Sequence, residues 1–189
     1  MADDHFLRLV SLACHDLRTP LATVSGFAKT LERTGGLDER EARFVELIDA
    51  ASGQMADLLD LLGLAVRIAS GRYEPSLQQA DTLELASSDT PGLTARGNGE
   101  AIETDAAAVG RALAALGGAA IRHGGVDAAS WTVQGRLLEL APVNEGAAPV
   151  VTGEEPKDLG ALVARMVVER LGGSLALEGD TLRVELGGP

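Results

Sequence analysis

Leu7, Val10, Cys14, Leu17, Leu21, Val24, Ala28 and Leu31 alternate in steps of three and four residues. An a/d rhythm kept over this length leaves little choice but a long helix packed in a coiled-coil-like bundle. Gly35-Gly36 ends it. Asp38, with Glu41 three residues on, reads as a capping box that opens a second helix. That helix carries Phe44, Leu47, Ala51, Met55, Leu58, Leu62 and Ala65 at similar steps and ends near Ser70-Gly71. Two helices of similar length joined by a short link make an antiparallel hairpin. A single hairpin cannot bury stripes as wide as those at Leu58-Leu59 and Leu61-Leu62. Two hairpins in a four-helix bundle can, so the pattern predicts a homodimer. The competing reading is that the rest of the chain covers these faces within a monomer.

Bulk properties narrow the partners. The 189 residues suffice for a helical appendage and one further small domain, placed at 1–72 and 73–189. A hydrophobic share of 46% with only 3% aromatics means a core of Leu, Val and Ala. The net charge of −12, with Lys29 and Lys157 as the only lysines, argues against a nucleic-acid partner. Cys14 is the only cysteine, which excludes an internal disulfide and suits a reducing cytoplasm. No apolar run reaches about 18 residues, so no membrane segment is expected. The first helix starts close to Met1, which implies that any signal arrives from another protein.

The first helix also carries Cys14-His15-Asp16-Leu17-Arg18-Thr19-Pro20-Leu21. Cys14 lies on the seam, so His15, about 100° further round, points to the bundle flank and solvent. Thr19, four residues on, shares the His15 face, and Asp16 is its neighbour. Pro20 removes the N–H that would bond the Asp16 carbonyl, at a cost of about 3 kcal/mol, which predicts a local bend one turn past the histidine. The octet resembles the phospho-accepting box of two-component sensor histidine kinases. The resemblance implies that His15 carries a phosphoryl group and that Asp16 orients its ring and accepts its proton. It implies that Thr19 positions a water for dephosphorylating a partner regulator. Arg18 is either a contact for an anionic partner surface or a solvated charge. A neutral imidazole is a competent nucleophile whose two nitrogens can be controlled separately. In such exchanges the partner receiver domain brings the aspartate and the Mg²⁺, so this chain need bind no metal itself.

Beyond Gly71 the pattern breaks into short segments. Residues 74–99 read as loops with one strand around Leu83 to Ala86. Helices are expected at Asp105 to His123 and Leu159 to Leu171. Strands are expected at Ser130 to Val133, Leu137 to Ala141, Ser174 to Leu177 and Leu182 to Leu186, giving an α+β sandwich with an antiparallel or mixed sheet. This order is similar to the ATP-binding domain of histidine kinases. Within that resemblance, Ala119 stands where an Mg²⁺-chelating asparagine is usual, and Asn144 replaces the aspartate that reads adenine. Pro156-Lys157-Asp158 occupies the glycines of the phosphate loop, where proline offers no N–H and Asp158 would repel a triphosphate. The lid shrinks to the stretch from Ala148 to Lys157. His123 reads as a helix-end cation, Glu154-Glu155 as a solvated loop and Trp131 as a core anchor.

The expectation is a histidine phosphotransferase that exchanges phosphoryl groups between His15 and response-regulator receiver aspartates without ATP. Three alternatives stay open: a sensor-less kinase that autophosphorylates His15, a docking module that needs no His15, and a regulator phosphatase that depends on Thr19.

Overall fold

A computed structural model describes residues 4–187. The chain divides into two compact units, Met1–Arg72 and Tyr73–Pro189. In the first, α1 (Asp4–Thr34) and α2 (Glu39–Ala69) pack along their length as an antiparallel hairpin. The turn between them needs positive φ at Gly35 (71°) and Gly36 (80°), which only glycine adopts without strain. The capping box is complete. The Asp38 carboxylate accepts from the Glu41 N–H at 2.8 Å, and the Glu41 carboxylate accepts from the Asp38 N–H at 2.9 Å. Helix α1 is continuous across Pro20.

The hairpin seals less of its apolar surface than the seam suggests. Cys14 and Ala28 of α1 and Val45, Ser52, Leu64 and Val66 of α2 are buried. Leu17, Val24 and Leu31, expected in the seam, are exposed instead, as are Phe27, Leu47 and Leu58. The reason is geometric. At about 100° per residue, Leu17, Val24 and Leu31 drift to one side of Cys14 while His15 lies on the other. One neighbouring helix covers only one side of so wide a stripe.

The second unit is an α+β sandwich. Its main sheet has the order β2-β4-β5-β7-β6, formed by β2 (Leu93–Asn98), β4 (Ala129–Gln134), β5 (Leu137–Ala141), β6 (Ser174–Glu178) and β7 (Thr181–Glu185). It is mixed: β2 runs parallel to β4 and the other pairs are antiparallel. Register aligns Trp131, Leu140, Leu182 and Leu177 in one row, and Val133, Leu138, Val184 and Leu175 in another. These rows face the helical layer of α4 (Ala106–Gly124) and α6 (Leu159–Arg170), which also pack on each other. The intervening row, Thr132, Glu139, Arg183 and Ala176, forms the polar side, where Arg183 pairs with Glu139 (3.3 Å) and Glu178 (2.9 Å). Trp131 is fully buried.

Three local expectations are corrected. Thr82–Ala86 is a short helix, α3, and not a strand, because the Asp81 carboxylate caps it by accepting from the Leu83 N–H at 2.8 Å. The stretch read as loops holds β1 (Gln78–Asp81) and β2, and β1 pairs as a two-stranded ribbon with β3 (Ala101–Thr104), just beyond that stretch. The stretch read as a reduced lid begins with a helical turn, α5 (Ala148–Val151).

Candidate phospho-acceptor site

His15 stands on the solvent flank of α1 with 80% of its side chain exposed. Its Nδ1 lies 3.2 Å from Oδ1 of Asp16, itself 65% exposed. That contact occupies one ring nitrogen and leaves Nε2 without a hydrogen bond among the described residues. Thr19 is exposed one turn further along the same face. Its carbonyl accepts from the Thr23 hydroxyl at 3.1 Å, so the side chain of Thr23 braces the turn that contains Pro20. Arg18 is tied across the hairpin: its Nη2 donates to the Asp60 carboxylate at 2.7 Å and approaches the Leu59 carbonyl at 3.4 Å. It is therefore neither idle in solvent nor aimed outward from the flank. Helix α1 thus presents an imidazole, a carboxylate and a hydroxyl together, and Arg18 turns from them toward α2.

In the second unit the positions tied to nucleotide binding are engaged otherwise. Ala119 is fully buried on α4 and offers only a methyl. Asn144 is spent on the backbone: its Nδ2 donates to the Gly124 carbonyl at 2.6 Å, and its Oδ1 accepts from the Gly146 N–H (3.1 Å) and the Ala147 N–H (3.2 Å). Asp158 caps α6 through Oδ1, which accepts from the Ala161 N–H at 3.0 Å. Its Oδ2 accepts from Arg122 at 2.7 Å and lies 3.2 Å from Nε2 of His123. Burial works to raise the Asp158 pKa, but the Arg122 guanidinium, the Ala161 N–H and His123 outweigh it and hold the carboxyl below its ordinary range. A carboxylate thus already sits at the α6 N-terminus, where a bound anion would otherwise lie. The close approach of α4 and α6 leaves little room there, since a Cβ on Gly160 would stand 3.2 Å from the Ala115 methyl.

Sequence reasoning treated His123 as a helix-end cation and missed this triad. Arg122 and His123 lie 36 and 35 residues from Asp158, and nothing local announces the pairing. The N-cap role of Asp158, two residues before Gly160 at the start of α6, was the one available signal.

Residues 7–71 match the family described as His Kinase A (phospho-acceptor) domain. The chain is histidine kinase-like. Its first 72 residues hold a His Kinase A domain whose hairpin carries the octet around His15. Histidine protein kinase DivJ of Caulobacter vibrioides is 32% identical over 102 residues, 48% of this chain and 17% of that protein. Sensor protein DivL of the same organism is 33% identical over 89 residues, 42% of this chain and 12% of that protein. The matches thus span under a fifth of these relatives' length. Among solved structures, full-length ShkA in complex with AMPPNP superposes with a TM-score of 0.67 at 18% identity, covering 94% of this chain and 44% of that one. The histidine kinase-like chain therefore shares its fold, hairpin followed by α+β sandwich, with that structure. No helix among the described residues is long and apolar enough to cross a membrane.

Proposed function

We propose that this histidine kinase-like chain is a histidine phosphotransferase of a two-component phosphorelay. His15 takes a phosphoryl group from the aspartyl phosphate of one receiver domain and passes it to the aspartate of another, without ATP. The observation that carries the reading is the exposed His15 ring held by Asp16 at 3.2 Å. With Nδ1–H bonded to the carboxylate, the Nε2 lone pair attacks phosphorus; the N–P bond forms as the acyl phosphate P–O bond breaks, and the receiver aspartate leaves as its carboxylate. Donation is the reverse. The receiver supplies Mg²⁺ to neutralise the group in flight. Thr19, exposed one turn along the same face, would hold a water for hydrolysis of the partner.

The second unit fits a nucleotide poorly. A methyl at Ala119 cannot chelate a metal, Asn144 is engaged with backbone, and the Asp158 carboxylate would repel phosphates at the helix end open to them. These support transfer from receivers over synthesis from ATP. Two hairpins pair through their exposed apolar stripes into a homodimeric four-helix bundle, in a reducing cytoplasm that keeps Cys14 a thiol.

The test offers the purified chain labelled ATP alone and, separately, a labelled phospho-receiver. Label on His15 from the receiver only, absent in His15→Gln, is the expected result. Labelling from ATP alone would overturn the reading in favour of a kinase.

A further inference from the structure

At the open end of the hairpin, Ser11, Cys14 and Arg18 of α1 and Gly63, Val66, Arg67 and the following Arg72 line a cleft of about 280 Å³. Three guanidiniums share this one cleft in a chain of net charge −12. Arg18 is paired with Asp60. Arg67 and Arg72 have no carboxylate partner among the described residues; Arg72 only donates to the Ser70 hydroxyl at 3.0 Å. Arg18 and Arg67 converge over Gly63: a Cβ there would lie 3.4 Å from Arg18 Nη2 and 3.7 Å from Arg67 Nη1. A bare position in the interior of a helix is disfavoured, and this one leaves room for guanidiniums to gather. Asp60 balances Arg18, but Arg67 and Arg72 bring two further charges to the cleft that no carboxylate among the described residues balances, and a bound anion would balance them.

We propose that this cleft is an oxyanion site that holds a phosphoryl dianion. Guanidiniums bind such groups with charge-assisted, often bidentate hydrogen bonds, and the Ser11 hydroxyl adds a neutral donor. Ser11 precedes His15 by four residues on the same side of α1, so the cleft lies within about one helical turn of the imidazole. The dianion has two sources, phosphohistidine at position 15 or free inorganic phosphate. The first source rests on the phosphotransferase reading; the second does not.

Phosphoramidate separates the cleft from the relay. Its P–N bond breaks as the imidazole forms its own N–P bond and ammonia leaves, so His15 is loaded without ATP or a receiver. In the full chain, the Arg67 and Arg72 Nε–Hε NMR signals should move on loading. The phosphohistidine of Arg67→Gln/Arg72→Gln should hydrolyse about threefold to tenfold faster than wild type, as expected for losing two charge-assisted contacts. If inorganic phosphate titrated into the unloaded chain moves the same signals while the lifetime is unchanged, the site holds free phosphate. If neither loading nor titration moves them and the lifetimes agree, the proposal is overturned. Should phosphoramidate leave His15 unlabelled, the titration arm decides alone. A chain that loads and holds phosphate here yet exchanges none with receivers keeps the cleft and loses the relay.

Discussion

Asp158 shows how a residue can close a site by satisfying itself. One oxygen caps α6 and the other takes Arg122 and faces His123. Asp158→Ala removes the cap and the ion pair together and should destabilise the second unit by about 1–3 kcal/mol in urea unfolding. Asp158→Asn keeps most of the cap, so it should lose less. Because the folded-state carboxyl titrates below its unfolded value, the unfolded chain binds more protons as pH falls. The stability this group adds is therefore complete above about pH 5 and lost as pH drops below about 4 through the folded pKa. The gap between wild type and Asp158→Asn should close over that range. Asp105 is lowered as well; burial opposes the shift, while the Ala108 N–H, the Tyr73 hydroxyl and the Ser76 N–H drive it, so wild type and Asp158→Asn share an acid-sensitive component that cancels in the gap. A gap that stays constant from pH 7 to 3 would mean that the Asp158 charge contributes nothing.

At the scale of elements, Pro20 sits inside an unbroken α1. Pro20→Ala restores the N–H toward the Asp16 carbonyl and removes the ring crowding, so it should raise the hairpin's thermal midpoint, with a gain of about 1–3 kcal/mol. An unchanged or lower midpoint would show that the helix holds proline without strain. Gly97 is the counterpart in the sheet. With φ of 124° and a missing Cβ that would run into the Val133 carbonyl, it lets β2 lie against β4. Gly97→Ala should cost several kcal/mol, about 2 or more, and detach the parallel pair, read as lost amide protection in β2. These two sites mark what the sequence could tell. The capping box at Asp38 and Glu41, the glycine stops and the long apolar periods are local signals, and each element they announce is present. Strands such as Gln78–Asp81 and Leu93–Asn98 carry polar residues and a glycine, and they exist because of partners 20 or more residues away. Their own residues could not declare them. The Asp158 triad was hidden for the same reason, whereas the octet at His15 was readable because its chemistry lies on one helical turn.

For the whole molecule, the exposed apolar stripe decides the assembly. Phe27 is 67% exposed and Leu31 46%, on a face that also carries Leu17 and Val24. Helix α2 adds Leu47 and Leu58. A contiguous apolar surface on this scale marks a contact surface. It lies on the side of Cys14 away from His15, so a second hairpin can seal it while the histidine stays open to a partner. Neither Phe27 nor Leu31 supports the hairpin interior, so glutamates there should leave helix content and the melting of the second unit intact. Each buried side chain of this size is worth about 1.5–3 kcal/mol, so Phe27→Glu/Leu31→Glu should weaken self-association more than about a hundredfold. Light scattering should then give twice the chain mass for wild type and the chain mass for the variant at the same micromolar concentration. A wild-type chain that scatters as a monomer would mean that something other than a second copy covers the stripe. A variant that remains dimeric would place the contact on a different face, and His15 would then have to be reconsidered as the open flank.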